Sequence, residues 1–295
     1  MTPRHFLEVD DLSPDELAEV LDRSERPDPP AVLDKRGVAL LFEKPSARTR
    51  NSCEVAVAQL GGHPVTLRGE EVGLDQRETV EDLTRTLAGY HAVIGARVFD
   101  HAMLERMVAV SPVPVINLLS DRSHPLQALA DLLTIRQRVG HLEGTTIAYV
   151  GDANNVCRSL ALGAALAGAA VRVAAPPGYQ PDHDLVARVG ELGGSLEVIE
   201  RPVDAAKGAD VVCTDVWVSM GQHAEVEARR AAFAGYIVDE SVMAAAAPEA
   251  IFLHGLPAHR GEEVAAEVID GRASAVWQQA ENRMHTTRGL LWWLT

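Results

Sequence analysis

The segment Phe42-Glu-Lys-Pro-Ser-Ala-Arg-Thr-Arg50 gathers two arginines and two hydroxyls into the five residues from Ser46, where an apolar run gives way to a helix. Cations at a helix start oppose the macrodipole, whose N-terminal end is itself positive. A bound dianion resolves the conflict. It accepts first-turn N–H groups, hydroxyl bonds from Ser46 and Thr49, and the guanidinium forks. The plainer alternative is a capped helix with solvated arginines. Overall charge sharpens the choice: 42 acids against 27 bases give −15, so an anion must be drawn in by a local basic cluster. Other chemistry-bearing residues also stand where strands give way to helices. Arg97 closes an apolar run, and His124-Pro-Leu-Gln127 opens a helix with proline suited to the first turn. Gly151-Asp-Ala-Asn-Asn155 follows a strand but lacks the GxGxxG spacing and the later acid of a dinucleotide site. Asp215-Val-Trp-Val-Ser-Met220 leaves another strand, and Arg283 stands in Glu281-Asn-Arg283. Taken singly, each has an ordinary reading as a strand end, a helix cap or a surface arginine.

The elements that must position these residues alternate regularly. Ser13–Ser24 reads as a short amphipathic helix capped by Ser13, with Pro14 in its first turn. Strands are expected at 37–42, 64–68, 92–97 and 113–118, with helices at 48–60, 78–90, 101–111 and 124–139 between and after them. A second series expects strands at 146–150, 171–175, 196–199, 210–213 and 250–254, then a last helix at 280–294. This rhythm predicts an α/β protein of two doubly wound parallel-sheet domains, with the active site in the cleft between them. The expected boundaries are 1–138, 139–275, and a C-terminal helix at 276–295 that returns to the first domain. No apolar run reaches the ~20 residues of a membrane span, and the N-terminus has no apolar signal core, so a cytoplasmic protein is expected. The acidic balance argues against nucleic-acid and anionic-membrane partners. Cys53, Cys157 and Cys213 lie in apolar stretches without CxxC spacing and read as buried free thiols, neither disulfide nor zinc ligands.

Together the motifs resemble a known family. Ser46-Ala-Arg-Thr-Arg50 with Glu54-Val-Ala-Val-Ala-Gln-Leu-Gly-Gly-His63 is similar to the carbamoyl-phosphate loop and helix of the ornithine carbamoyltransferases. The likeness continues in family order through Ala96-Arg97-Val98, Val115–Asp121, His124–Asp131, Gly151–Asn155, Thr214–Gln222, Leu256–Glu263 and Glu281–Arg283. It implies that carbamoyl phosphate binds first, to Ser46, Ala47, Arg48, Thr49, Arg97, His124, Gln127, Gly255, Leu256 and Arg283. L-Ornithine then binds to Asn155, Asp215, Ser219 and Met220, and its side-chain amine attacks the carbonyl to give citrulline and phosphate. Arg48, Arg97, His124, Asp215 and Gly255 are implied as the catalytic set, with neither metal nor organic cofactor. A homotrimer and a place in arginine biosynthesis are likewise implied.

The pattern breaks in three places. The family's His-Cys-Leu-Pro is here His254-Gly-Leu-Pro257, which removes a thiol but keeps a backbone carbonyl able to bond the carbamoyl NH₂. Gly73 stands where ornithine enzymes commonly carry a glutamine that reaches a neighbouring subunit, with Gln76 as a candidate substitute. Ala47 replaces a usual threonine. The first break leaves two alternatives: a carbamoyltransferase for another or modified amino-acid amine, and a low-turnover ligand-binding homologue.

Overall fold

Gly37–Phe42 carries five apolar side chains in six residues and forms β1, buried along nearly its whole length. It is one of two inner strands of the first sheet in a computed structural model that describes residues 3–218 and 225–295. The strands are β1, β2 (His63–Arg68), β3 (His91–Arg97) and β4 (Val115–Leu119), all parallel, in the order β2-β1-β3-β4. The second sheet contains β5 (Thr146–Val150), β6 (Ala170–Ala174), β7 (Ser195–Ile199), β8 (Val211–Thr214) and β9 (Ile251–His254). It too is parallel, in the order β7-β6-β5-β8-β9. The α/β class and the two doubly wound parallel sheets are therefore as expected. Strand order was not legible; element limits differ by one or two residues in most cases.

Each sheet has a switch point, where successive connections leave in opposite directions and ligands of such sheets collect. In the first sheet it lies between β1 and β3, with Phe42 in register with Arg97. In the second it lies between β5 and β8, with Val150 in register with Thr214. The chain divides into two compact units, 1–130 with 281–295, and 131–280. In the first unit, Leu41, Ile94, Leu104, Met107 and Val115 centre an apolar cluster. In the second, Val150, Val212, Phe252 and Ile269 do the same.

The last helix, Val276–Leu294, starts four residues earlier than expected because Val276 and Gln279 are both buried. Within the first unit its final turns lie against helix Pro14–Glu25. Arg288 donates to the carbonyls of Ser24 and Arg26 at 2.9 and 2.8 Å, and Arg23 to that of Trp292 at 2.8 Å. Gly289 is required there, since a Cβ would fall into the Ser24 side chain and the Val20 carbonyl. No helix among the described residues is long and apolar enough to cross a membrane.

Candidate active site

Ser46 ends the loop after β1 and caps helix Ala47–Gln59, its Oγ accepting from the Thr49 N–H. Thr49 is the centre of the first cluster. Its Oγ1 accepts from Ser46 Oγ at 3.0 Å, from Arg97 Nη1 at 3.3 Å and from Arg283 Nη2 at 3.3 Å. Arg283 Nη1 also donates to Gln127 Oε1 at 2.6 Å. The helix start after β1, the end of β3 and the last helix thus converge on one hydroxyl, with the helix after β4 joined through Arg283. Thr49, Arg97 and Arg283 are 1%, 6% and 5% exposed.

Burial, with Arg283 and Arg48 adding like charge, pushes the Arg97 guanidinium down to about 10. No carboxylate pairs with Arg97 among the described residues, and its buried Nε has no hydrogen-bond partner among them. Like charges crowded into a dry site are costly unless an anion joins them. Ala47 and Arg48 are exposed in the first turn of the helix. Arg50 does not join the cluster; its Nε donates to Glu54 at 2.8 Å one turn along, and Glu54 also accepts from Thr66.

His124 precedes helix Pro125–Val139, and its carbonyl accepts from the Gln127 N–H at 3.0 Å. Burial, then Arg283 and Arg97, drive the imidazole well below its ordinary pKa. His124 is therefore neutral near pH 7 and able to donate to an oxygen without carrying a charge of its own. Cys53, behind the cluster, is pushed up to about 11 by burial and is a free thiol, as are buried Cys157 and Cys213.

The second cluster lies at the β5–β8 switch point. Asn154, not Asn155, caps helix Asn155–Leu166, accepting from Val156 and Cys157 N–H groups through Oδ1. Its Nδ2 donates to Asp215 Oδ2 at 3.1 Å. Burial raises the Asp215 carboxyl above its usual range, while His254 and the Asn154 bond draw it back. A buried carboxylate so placed gains from an arriving cation. Ser219 and Met220 lie outside the described residues.

His254 ends β9, and Gly255 and Leu256 are half-buried just past it. The Leu256 N–H donates to His254 Nδ1 at 2.9 Å, so the ring proton sits on Nε2 and is donated to Glu263 Oε1 at 3.1 Å. Burial raises Glu263, but His254 and the His259 N–H outweigh it and hold this carboxyl below the usual range. The His254 N–H donates to Gln279 Oε1, and Gln279 Nε2 to Asp131 at 2.6 Å. Among the described residues, His259, Glu262 and Glu263 could gather a cation, their ligand atoms lying within 4.8 Å. Glu263 is committed to His254, however, and Glu262 to Arg230 at 2.7 Å.

Gly73 ends the short helix Gly69–Val72 in the left-handed region, at φ +62°, as helix C-caps demand. A glutamine there would be strained and would press on Arg77, so the break from the family pattern has a local backbone cause. Gln76 follows, exposed. Sequence reading missed Asn154, Arg229, Glu263 and Gln279. Only the first had a signal, since an asparagine directly before a helix is a strong cap candidate.

The carbamoyl-P binding domain of the aspartate/ornithine carbamoyltransferases matches residues 4–137, and the Asp/Orn binding domain of the same family matches residues 143–294. The ornithine carbamoyltransferase of Acidothermus cellulolyticus is 51% identical over 98% of this chain and 95% of its own length. That of Parafrankia sp. is 48% identical over 99% of this chain and 96% of its own. The solved ornithine carbamoyltransferase of Pyrococcus furiosus superposes with a TM-score of 0.93 at 44% identity, covering 98% of this chain and 96% of that one. Both domain matches and both sheets agree: the chain belongs to the aspartate/ornithine carbamoyltransferase family.

Proposed function

We propose that the protein transfers the carbamoyl group of carbamoyl phosphate to the side-chain amine of L-ornithine, giving L-citrulline, phosphate and a proton. The observation that carries the first half is the convergence of buried Arg97 and Arg283 on Thr49, in a chain of net charge −15. An anionic phosphate offers a counter-charge to Arg97, which pairs with no carboxylate among the described residues. Ser46, Ala47, Arg48, Thr49, Arg97 and Arg283 hold the phosphoryl oxygens; neutral His124 and Gln127 hold the carbamoyl carbonyl and amide. Donors fixed around that carbonyl stabilise the oxygen as it gains charge in the tetrahedral intermediate. The backbone at Gly255 and Leu256 meets the carbamoyl NH₂.

Asp215, with Asn155, Ser219 and Met220, holds the α-amino acid end of the acceptor. The amine nitrogen bonds to the carbonyl carbon, the carbon–oxygen bond to phosphate breaks, and phosphate remains among the arginines. An alkyl amine of pKa near ~10.4 is neutral in only about one molecule in 10³ to 10⁴ at pH 7, so the attacking form is scarce. Asp215, the carboxylate of this half-site, is the group that biases that proton. The names of the relatives, at up to 51% identity over nearly the full chain, favour ornithine over another amine. A cytoplasmic homotrimer serving arginine biosynthesis completes the reading; the name "anabolic" on the Pyrococcus furiosus relative favours the biosynthetic role alone.

The test is ureido-product formation by purified protein with carbamoyl phosphate and a panel of amines. A kcat/KM for ornithine of ~10⁴ M⁻¹s⁻¹ or above is expected. Turnover of a modified ornithine but not of ornithine would overturn the acceptor, and sedimentation at other than three chain masses would overturn the trimer.

A further inference from the structure

We infer that Arg229 is a positioning residue of the acceptor half-site, stapling the loop after β5 to the loop after β8; the inference rests on the acceptor reading above. Residues 151–155 and 215–218 start side by side, because Val150 and Thr214 are the last register pair of adjacent strands. Past that pair the sheet holds them no longer. The cross-link then falls to side chains. Arg229 Nη1 donates to Asp152 Oδ2 in the first loop at 2.8 Å and to the Trp217 carbonyl in the second at 3.0 Å. Its Nε donates to Glu225 at 3.0 Å. The guanidinium lies 4.9 Å from the Tyr179 ring centre, and the Tyr179 carbonyl accepts from the Ala153 N–H at 2.9 Å, so the stack reaches the first loop again.

One turn on, fully buried Phe233 repeats the grip in apolar form. It stacks on Trp217 at 5.7 Å and 17°, and meets Tyr179 at 4.8 Å. Arg229 and Phe233 are four apart, joined by the Phe233 N–H to the Arg229 carbonyl, so both project from one face of helix Val226–Ala232 and its cap. A planar guanidinium fork bonds two acceptors and stacks on a ring at once, which an ammonium cannot do.

The plain alternative is a satisfied core ion pair. Such a pair adds little net stability over apolar packing. What sets this one apart is its partners' positions: Asp152 is two residues from Asn154, and Trp217 two from Asp215, the pair bonded to each other at 3.1 Å. The staple also sorts two neighbouring acids. Asp152 is already paired with Arg229 at 2.8 Å, although burial keeps its carboxyl above the usual range. Asp215 is left to meet the incoming ammonium.

The test uses Arg229→Gln, Arg229→Lys and Asp152→Asn in the full chain. Kinetics are read on both substrates, carbamoyl phosphate affinity by calorimetry, and hydrogen exchange on peptides spanning 150–156 and 214–218. Arg229→Gln should raise the ornithine KM and cut kcat/KM for ornithine by about 10- to 100-fold, the scale of small misplacements, with carbamoyl phosphate affinity unchanged. Exchange should quicken in both peptides together. Arg229→Lys should recover part of the loss, because it still neutralises Asp152. Asp152→Asn should shift the ornithine KM the same way and combine non-additively with Arg229→Gln. A wild-type ornithine KM in Arg229→Gln, equal losses on both substrates, or faster exchange in one loop alone overturns the staple. Wild-type protein that does not turn over ornithine counts instead against the acceptor reading, and the paired exchange still decides the staple.

Discussion

Replacing Arg97 by methionine should separate binding from stability in opposite directions. This guanidinium is 6% exposed, feels the like charges of Arg283 and Arg48, and is pushed down to about 10. Holding it charged costs about 3 kcal/mol against an ordinary guanidinium, an upper-end figure. Methionine removes that cost and fills the volume of the arginine stem. The loss is the bond to Thr49 Oγ1, about 1 kcal/mol net. The ligand-free variant should thus be as stable as wild type or more stable by about 1–2 kcal/mol, a rise of a few degrees in melting temperature. A buried arginine with a structural partner would behave oppositely, costing about 3–5 kcal/mol when cut back. Carbamoyl phosphate should meanwhile bind about 30-fold more weakly or worse, at least ~2 kcal/mol, because a buried charge-assisted contact is lost. Thermal melts with and without ligand, and calorimetry, read both quantities. The sign is insensitive to pH between 6 and 8, since that window lies below the depressed value and Arg97 stays charged throughout. A ligand-free melting point several degrees below wild type, with ligand affinity retained, would refute the reasoning.

Besides its part in the rate, His124 should leave a pH signature in stability. Its folded pKa lies well below the ordinary value near 6.5, so its stabilising contribution is complete above that value and is lost as pH falls toward the folded pKa. Denaturation midpoints of wild type should drop more steeply than those of His124→Gln below about pH 6.5, and equal slopes would contradict a buried neutral ring. Asp215→Asn should raise the ornithine KM at least about tenfold while sparing carbamoyl phosphate affinity, the loss expected for a buried charged partner. Loss of both ligands would put Asp215 in the wrong half-site. Gly255→Cys should raise kcat with ornithine, by about 10²-fold at most if the thiol aids proton transfer. An unimproved kcat in an already efficient wild type would show that the backbone at Gly255 suffices.

What was legible in sequence was whatever depends on residues close in the chain. Gly37–Phe42 reads as a strand because five of its six residues are apolar, and Ser46 reads as a cap because a hydroxyl precedes a helical run. Periodicity carried the α/β class for the same reason. Arg97 and Arg283 could be nominated, but their meeting on Thr49 joins positions 48 and 234 residues apart, and spacing holds no record of that. Arg50 went the other way. Its neighbour four residues on, Glu54, is the sort of partner that takes a helical arginine out of a site, and the i,i+4 spacing was there to be read. Arg229 stayed invisible because an arginine beside another, Arg230, on a short helix looks like solvent-facing charge until the fold buries it.

Two of the three departures from the family pattern, at Gly73 and Gly255, have different physical standing. At Gly73 the backbone itself demands glycine, so the loss of a side chain follows from the turn. Around Gly255 the unusual backbone belongs to the next residue, Leu256, whose φ of +57° is costly for a branched side chain. That conformation is held by the Leu256 N–H on His254 Nδ1, by His254 on Glu263, and by Gln279 on the His254 N–H with Asp131 behind it. None of these bonds uses a side chain at position 255. The turn is therefore built by its neighbours and presents its backbone in a fixed direction whether the residue is glycine or cysteine. A thiol there would alter proton handling and local volume, while the hydrogen-bonding geometry offered to a carbamoyl NH₂ would stay as it is. The change at 255 therefore leaves in place the bonds that hold this turn.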